Sequence, residues 1–91
     1  LTSDSPIDER RFMEWIHAVL QAQGQDLLRT KGILHLNGEN ERFAFQAVHM
    51  IADGALIGRW KDGDKRQSRI VFIGRNLSRP ALRSGFASCA I

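Results

Sequence analysis

Apolar residues recur with a helical period near the start of the chain. One apolar stripe is formed by Phe12, Trp15, Ile16, Val19 and Leu20. Asp8 lies just before this stripe, where its carboxylate can accept hydrogen bonds from the free backbone N–H groups of a first helical turn. Gly24 follows the stripe and is typical of a helix end. The pattern predicts an amphipathic helix over residues 8–23.

The next segment has the pattern of a β-hairpin. Strand-like runs over 31–36 and 42–50 flank the turn signal Asn-Gly-Glu-Asn at 37–40. The favoured register gives one face four large apolar side chains, those of Leu34, Leu36, Phe43 and Phe45. A slip by one residue would place the two phenylalanines with Ile33 and His35 instead. We favour the first register because it concentrates the large side chains where a helix can cover them.

The second half of the chain predicts one buried strand and a closing helix. Asp53-Gly54 is a second turn signal, and a polar loop follows at 61–67. Residues 69–74 lack polar alternation, which is typical of a central strand buried on both faces. Ser78 can cap a helix that has Pro80 in its first turn. The inner stripe of that helix would consist of Leu82, Phe86 and Cys89.

This order of elements predicts an α+β fold. Two short helices cannot bury their own apolar stripes, but both can pack against one face of a sheet. We therefore expect a two-layer sandwich, with an antiparallel sheet of three to four strands and two helices on one face. Residues 1–5 are expected to be the stub of an additional N-terminal strand. The 91 residues are predicted to form a single domain.

Composition narrows the class of protein further. The longest apolar run is Ile70–Ile73, far below the roughly 20 residues that a transmembrane helix needs. Cys89 is the single cysteine and cannot form an internal disulfide, which favours a reducing, cytoplasmic location. The chain begins with Leu1 within polar sequence, so we interpret it as a fragment of a longer polypeptide.

Charge is distributed unevenly along the chain. Residues 1–45 hold five basic and seven acidic side chains, a net charge of −2, whereas residues 46–91 hold eight basic and three acidic ones, a net charge of +5. A basic half can attract an anionic partner such as a nucleotide, a nucleic acid or an acidic protein face. An ordinary solvated surface would have the same composition, so charge alone does not choose among these.

Sequence motifs of catalysis are missing. There is no G-x-x-x-x-G-K-[ST] phosphate loop, no G-x-S-x-G elbow and no H-E-x-x-H zinc motif. His35 and His49 are predicted on opposite faces of the hairpin, so they could not share a metal ion. His49 is expected to be partly buried, and His35 is the one weak metal-ligand candidate. We predict that this segment is not itself an enzyme.

Several short motifs together resemble the C-terminal domain of CobW-type proteins. They are Lys31-Gly32, Phe45-Gln46-x-Val48-His49, Arg69-x-Val71-Phe72-Ile73-Gly74-Arg75, and the segment 77–86. The resemblance implies a P-loop GTPase domain N-terminal to this one in the parent protein. It also implies a metallochaperone or metal-insertion role, in cobalamin synthesis or zinc homeostasis. GTP and a divalent metal, zinc or cobalt, would belong to the parent, and no cofactor is expected in this segment.

The resemblance implies an accessory, regulatory domain that binds other proteins. Its partner would be its own N-terminal GTPase domain, a metalloprotein client, or both, and a homo-oligomer is a further possibility; no membrane is expected. The exposed sheet face or edge that binds is expected to include Ile33, His35 and Val48. The candidate partner-binding residues are His35, Gln46, Arg59, Trp60, Arg69 and Arg75.

A basic RNA-binding module of the RRM type is the alternative. Arg42-Phe43-Ala44-Phe45 faintly resembles the aromatic sheet motif of RRM domains, although the usual glycine is missing and Gln46 replaces an apolar residue. Base stacking would require Phe43 and Phe45 to be exposed, and the favoured hairpin register buries them. We therefore rank nucleic-acid binding second.

Overall fold

The computed structural model describes residues 1–49 and 51–91. Along the chain, the elements are β1 (Thr2–Ser3), α1 (Glu9–Gln23), β2 (Leu27–Leu34), β3 (Glu41–Val48), β4 (Ile51–Arg59), β5 (Ser68–Gly74) and α2 (Arg79–Ser88). The five strands form one antiparallel sheet in the order β1-β5-β2-β3-β4. The α+β class is confirmed. The sheet has more strands than the three to four predicted, because the expected N-terminal stub pairs with β5 as β1.

Local sequence signals set the limits of both helices. The Asp8 carboxylate accepts the Arg11 N–H at 3.0 Å, which caps α1 as predicted, and Gly24 follows its last residue. The Ser78 hydroxyl accepts the Ala81 N–H at 3.3 Å and caps α2. The buried side chains are those of the predicted stripes, with Phe12, Ile16 and Leu20 on α1 and Leu82, Phe86 and Cys89 at α2.

The favoured hairpin register is confirmed. Leu34 pairs with Phe43, and Gly32 pairs with Phe45, so these side chains lie on one face of the sheet. That inner face carries both helices. Phe12 of α1 meets Phe45 edge-on, with 5.2 Å between the ring centroids.

Trp15 joins the two helices to the sheet. Its indole ring lies 6.0 Å from the rings of both Phe72 on β5 and Phe86 on α2. Gly85 makes this packing possible, since a Cβ at that position would overlap the indole Nε1 atom. The aromatic core therefore needs a glycine inside α2, where helix propensity alone would disfavour one.

The predicted turn at Asp53-Gly54 is wrong. Both residues lie within β4, and the chain reverses earlier, where His49 has a positive φ of 55°. The glycine serves packing instead, because a Cβ on Gly54 would overlap the ring of Phe43 on the neighbouring strand. His49 is exposed at this reversal, so the expectation of a partly buried histidine is also wrong.

The prediction that 69–74 is buried on both faces is wrong as well. Ser68 and Ile70 are buried beneath the helices, but Val71 is 56% exposed and Ile73 is 53% exposed. Both helices pack on the inner face, and no element within residues 1–49 and 51–91 covers the other. The apolar run therefore reflects two different environments, a helix-covered face and an open one.

Substituting Gly85 with alanine tests the packing of Trp15. We expect Gly85→Ala to lower the free energy of unfolding by about 1–3 kcal/mol, because the added methyl group forces the indole out of its position. Ser84→Ala, at an exposed position of the same helix, is the matched control and should have little effect. Urea denaturation measures both. Equal stability of Gly85→Ala and the parent would contradict this packing.

Candidate interaction surface

The side of the sheet opposite the helices forms a surface that we call the outer face. Side chains alternate along each strand, and the strand register therefore assigns three residues of each long strand to it. The outer face consists of Arg29, Lys31 and Ile33 on β2; Ala44, Gln46 and Val48 on β3; Ile51, Asp53 and Ala55 on β4; and Arg69, Val71 and Ile73 on β5.

Strand pairing orders these residues into three rows across the sheet. The arginine row is Ile73, Arg29, Val48 and Ile51; the middle row is Val71, Lys31, Gln46 and Asp53; and the third row is Arg69, Ile33, Ala44 and Ala55. Val48 is 53% exposed and Ile51 is 80% exposed. Exposed aliphatic side chains that adjoin one another on a sheet mark a surface that a partner can cover.

A shallow concavity of about 260 Å³ lies on this face over β2, β3 and β4. The small side chains of Ala44 and Ala55 leave the space, while Ile33, Gln46 and Asp53 border it. The floor is formed by backbone and apolar groups, and its rim is polar. This composition suits a protruding side chain of a partner protein.

The six predicted partner-binding residues fall into three groups, one of which is the pair His35 and Trp60. Gln46 and Arg69 lie on the outer face, both exposed. Arg59 is exposed at the end of β4, and Arg75 follows β5, where its Nε lies 3.4 Å from an Asp26 carboxylate oxygen.

His35 and Trp60 pack against each other where β2 ends and the polar loop begins. Their rings meet edge to face, with 5.9 Å between the centroids. The Ser68 hydroxyl accepts the His35 backbone N–H at 2.8 Å, and the Trp60 backbone N–H donates to the Asn40 carbonyl at 3.3 Å. The structure thus joins these two predicted residues, although they are 25 positions apart in the numbering.

Two ring nitrogens of this pair are buried without a hydrogen-bond partner among the described residues, His35 Nδ1 and Trp60 Nε1. Burial lowers the pKa of His35 below its usual range, and the positive charge of Arg66 lowers that pKa further. The folded protein therefore favours the neutral imidazole. The pair holds the start of the polar loop against the sheet.

The donor set around His35 does not fit a metal site. Within residues 1–49 and 51–91 there is no group of three or more His, Cys, Asp or Glu side chains that could hold a metal ion. The Trp60 indole packs against the imidazole ring, the Ser68 hydroxyl accepts the His35 backbone N–H, and the Arg66 cation acts on the ring by its charge.

The described residues of the outer face include no aromatic ring of the kind that an RNA-binding platform needs. Phe45 is 2% exposed, and Phe43 is half-buried on the same inner face. Base stacking requires exposed rings on an open sheet. The open side here presents aliphatic and charged groups instead.

Comparison with known proteins identifies the family. Residues 1–90 match the family described as the cobalamin synthesis protein cobW C-terminal domain. This chain belongs to that family. A zinc chaperone of Escherichia coli strain K12, YjiA, is 33% identical over 84 residues, which are 92% of this chain and 26% of the relative.

Solved structures of the same relative agree with the fold. A zinc-bound YjiA GTPase and its zinc-bound triple mutant each superpose on this chain with a TM-score of 0.94 at 31% identity. Each comparison covers 100% of this chain and 28% of the solved chain. The CobW C-terminal domain described here thus spans about a quarter of the length of its matched relatives.

The CobW motifs divide between the two faces of the sheet. Phe45 and Phe72 of the motifs point toward the helices, while Gln46, Val71 and Ile73 lie on the outer face. The motif segments therefore form both the core and the open surface.

No helix of the described residues is long and apolar enough to cross a bilayer.

Sequence reasoning missed several outer-face residues. Arg29 preceded the predicted strand, which began at residue 31, and Val71 and Ile73 were assigned to a buried interior. The available signal was the alternation of side chains between the two faces of a strand. Arg29 lies four positions before Ile33 and therefore shares its face, which was already expected to be exposed.

Stability between pH 5.5 and 7.5 tests the environment of His35. The unfolded chain takes up a proton at His35 as pH falls through its ordinary pKa near 6.5, whereas the folded chain resists protonation. We therefore expect this group's contribution to stability to be lost as pH falls below about 6.5.

His35→Phe keeps a ring against Trp60 but cannot ionise. We expect its free energy of unfolding to fall less than that of the parent as pH is lowered from 7.5 to 5.5, measured by urea denaturation at each pH. His17→Gln, at an exposed position of α1, is the control and should retain the parent's pH dependence. The account of His35 is wrong if His35→Phe and the parent lose stability in parallel.

Proposed function

We propose that this CobW C-terminal domain is an accessory, regulatory protein-interaction domain of a GTP-dependent metallochaperone. Its outer face docks on the N-terminal GTPase domain of the same polypeptide. Zinc or cobalt is cargo of the parent protein, and metal insertion for cobalamin synthesis or zinc homeostasis is the process it serves. The open, partly apolar sheet face is the observation that carries this proposal.

The one-sided sheet supports docking by physical argument. Val48, Ile51, Val71 and Ile73 are all more than half exposed although they lie on the strands that form the core. Fully burying such a side chain is worth about 1.5–3 kcal/mol, so covering four of them stabilises a contact substantially. Charged residues between them make the surface selective for its partner.

The length of the relatives supports the GTPase domain as the partner that covers the outer face. The matched chains are named as GTPases, and this domain covers 28% of them. The Leu1 amino group donates to the Ile70 carbonyl at 2.9 Å, and the Ile70 N–H donates to the Leu1 carbonyl. A polypeptide that continues before Leu1 would therefore approach along β5, whose outer side chains are Arg69, Val71 and Ile73.

Docking gives the domain a regulatory role without chemistry of its own. A domain seated on a GTPase changes turnover when its affinity differs between the nucleotide states. The domain would then dock on the GTPase domain in one nucleotide state and be released in the other. Once released, it would present the same surface to a metalloprotein client. The concavity beside Gln46 and Asp53 would receive a side chain in either contact.

Cysteine labelling in the full-length protein tests this arrangement. Cys89 is 1% exposed, so a thiol introduced on the outer face is the accessible one in this domain. We expect Val48→Cys to react with a maleimide at least about tenfold more slowly than Ala18→Cys, which lies on the exposed side of α1. Peptide mass spectrometry assigns each modified thiol.

GTP turnover of the same full-length protein gives the second readout. Val48→Asp places a charge in the docked contact and should change the turnover rate, whereas Ala18→Asp should not. Docking fails as a proposal if Val48→Cys reacts as fast as Ala18→Cys, and the regulatory role fails if Val48→Asp leaves turnover unchanged.

A further inference from the structure

We propose that Arg29 is the anchor of the docking contact and pairs with a carboxylate of the GTPase domain that is surrounded by apolar groups. This inference rests on the proposed function, because it names the chemistry of the partner that covers the outer face. Two observations carry it, the neighbours of Arg29 and the lack of an ion pair for it among the described residues, together with the planar shape of a guanidinium group.

Arg29 stands inside an apolar row. Strand pairing places it opposite Ile73 on one side and Val48 on the other, and Ile51 follows on the edge strand. These three neighbours are 53%, 53% and 80% exposed. The aliphatic stem of an arginine can pack along such neighbours while its guanidinium group stays at the surface.

The Arg29 guanidinium group forms no ion pair with a described residue of the domain. Each ion pair among the described residues involves other side chains, as Arg75 with Asp26 and Lys65 with Asp4 do. The other three residues of the arginine row are aliphatic. The middle row, by contrast, contains both a base and an acid: Lys31 on β2 and Asp53 on β4 are separated by Gln46 on β3.

Covering this row forces a choice of partner chemistry. A protein that buries the three aliphatic side chains also removes water from the guanidinium group, and an unpaired charge there would be strongly unfavourable. A carboxylate satisfies the guanidinium with two parallel hydrogen bonds, and apolar groups around it satisfy the aliphatic neighbours. A free phosphate would pair with the charge but leave the aliphatic groups uncovered.

This geometry is typical of a binding hot spot. Such sites place an arginine or aromatic residue at the centre of a contact and surround it with groups that exclude water. Arg69 is less suited to this role, because its Nε lies 3.4 Å from the Gln67 side-chain oxygen and its row contains two alanines. The inference therefore adds Arg29 to the residues that the sequence singled out.

The test uses the full-length protein with Val48→Cys as a reporter of docking. In this background we expect Arg29→Glu to raise the maleimide reaction rate at the reporter at least about tenfold, since it places two negative charges together. Arg29→Lys keeps the positive charge but lacks the planar guanidinium group. Its maleimide reaction rate at the reporter should therefore lie between those of the Val48→Cys protein and its Arg29→Glu variant. Arg83→Glu, exposed on α2, makes the same charge change in the helix layer and should leave the rate unchanged.

The outcomes separate the two proposals. A slow reporter that speeds up with Arg29→Glu and not with Arg83→Glu supports the inference. A slow reporter that stays slow with Arg29→Glu overturns the role of Arg29 and leaves docking intact, while a fast reporter before any change at Arg29 overturns docking itself. The circular dichroism spectrum of Arg29→Glu should match that of the parent, because the residue is exposed within this domain, and a loss of fold would overturn its assignment to the surface.

Discussion

The contact between Phe12 and Phe45 determines which face of the sheet the helices cover. Phe45 lies beside Gly32 on the central pair of strands, and the ring of Phe12 meets it edge-on at 5.2 Å between the centroids. Trp15 extends the contact to β5 and α2. Because side chains alternate along a strand outside the irregularities at Leu27–Arg29 and Glu41–Phe43, seating the helices on this face assigns the paired residues from Arg29 to Leu34 and from Phe43 to Val48 to the inner or the outer face.

The composition of the open face follows from that constraint. It combines Val and Ile side chains with basic residues and one acid, and the aromatic rings lie on the other side of the sheet. A face of this kind suits a protein partner with apolar groups and carboxylates, rather than the stacked bases of RNA. Membership of the CobW C-terminal domain family then makes the GTPase part of a longer polypeptide the partner we propose.

Much of the fold could be predicted because its signals are local. The cap at Asp8, the period of Phe12, Ile16 and Leu20, and the alternation at Phe43 and Phe45 each act within a few residues. The predictions that failed concern features that depend on residues distant in the sequence. The run Ile70–Ile73 has no polar alternation, so its sequence cannot show that the fold leaves one side open.

The interaction surface was predicted only in part for a related reason. Gln46 and Arg69 stand out as polar residues in or beside apolar runs, and both lie on the outer face. The row formed by Arg29, Val48 and Ile73 depends instead on pairing between strands about 20 to 45 positions apart, which a single sequence does not reveal. The close approach of Trp15 to Gly85 is equally invisible before the helices are placed.

The central claim is that the rest of the polypeptide covers the open sheet face. Hydroxyl-radical footprinting of the full-length protein is its most direct test. The peptide that contains Val71 and Ile73 should be protected, and the exposed Met13 on α1 should be oxidised at the rate of a free side chain. Protection should weaken when docking is disrupted on the partner side. Oxidation of Val71 and Ile73 at the rates of freely exposed side chains in the full-length protein would contradict the account.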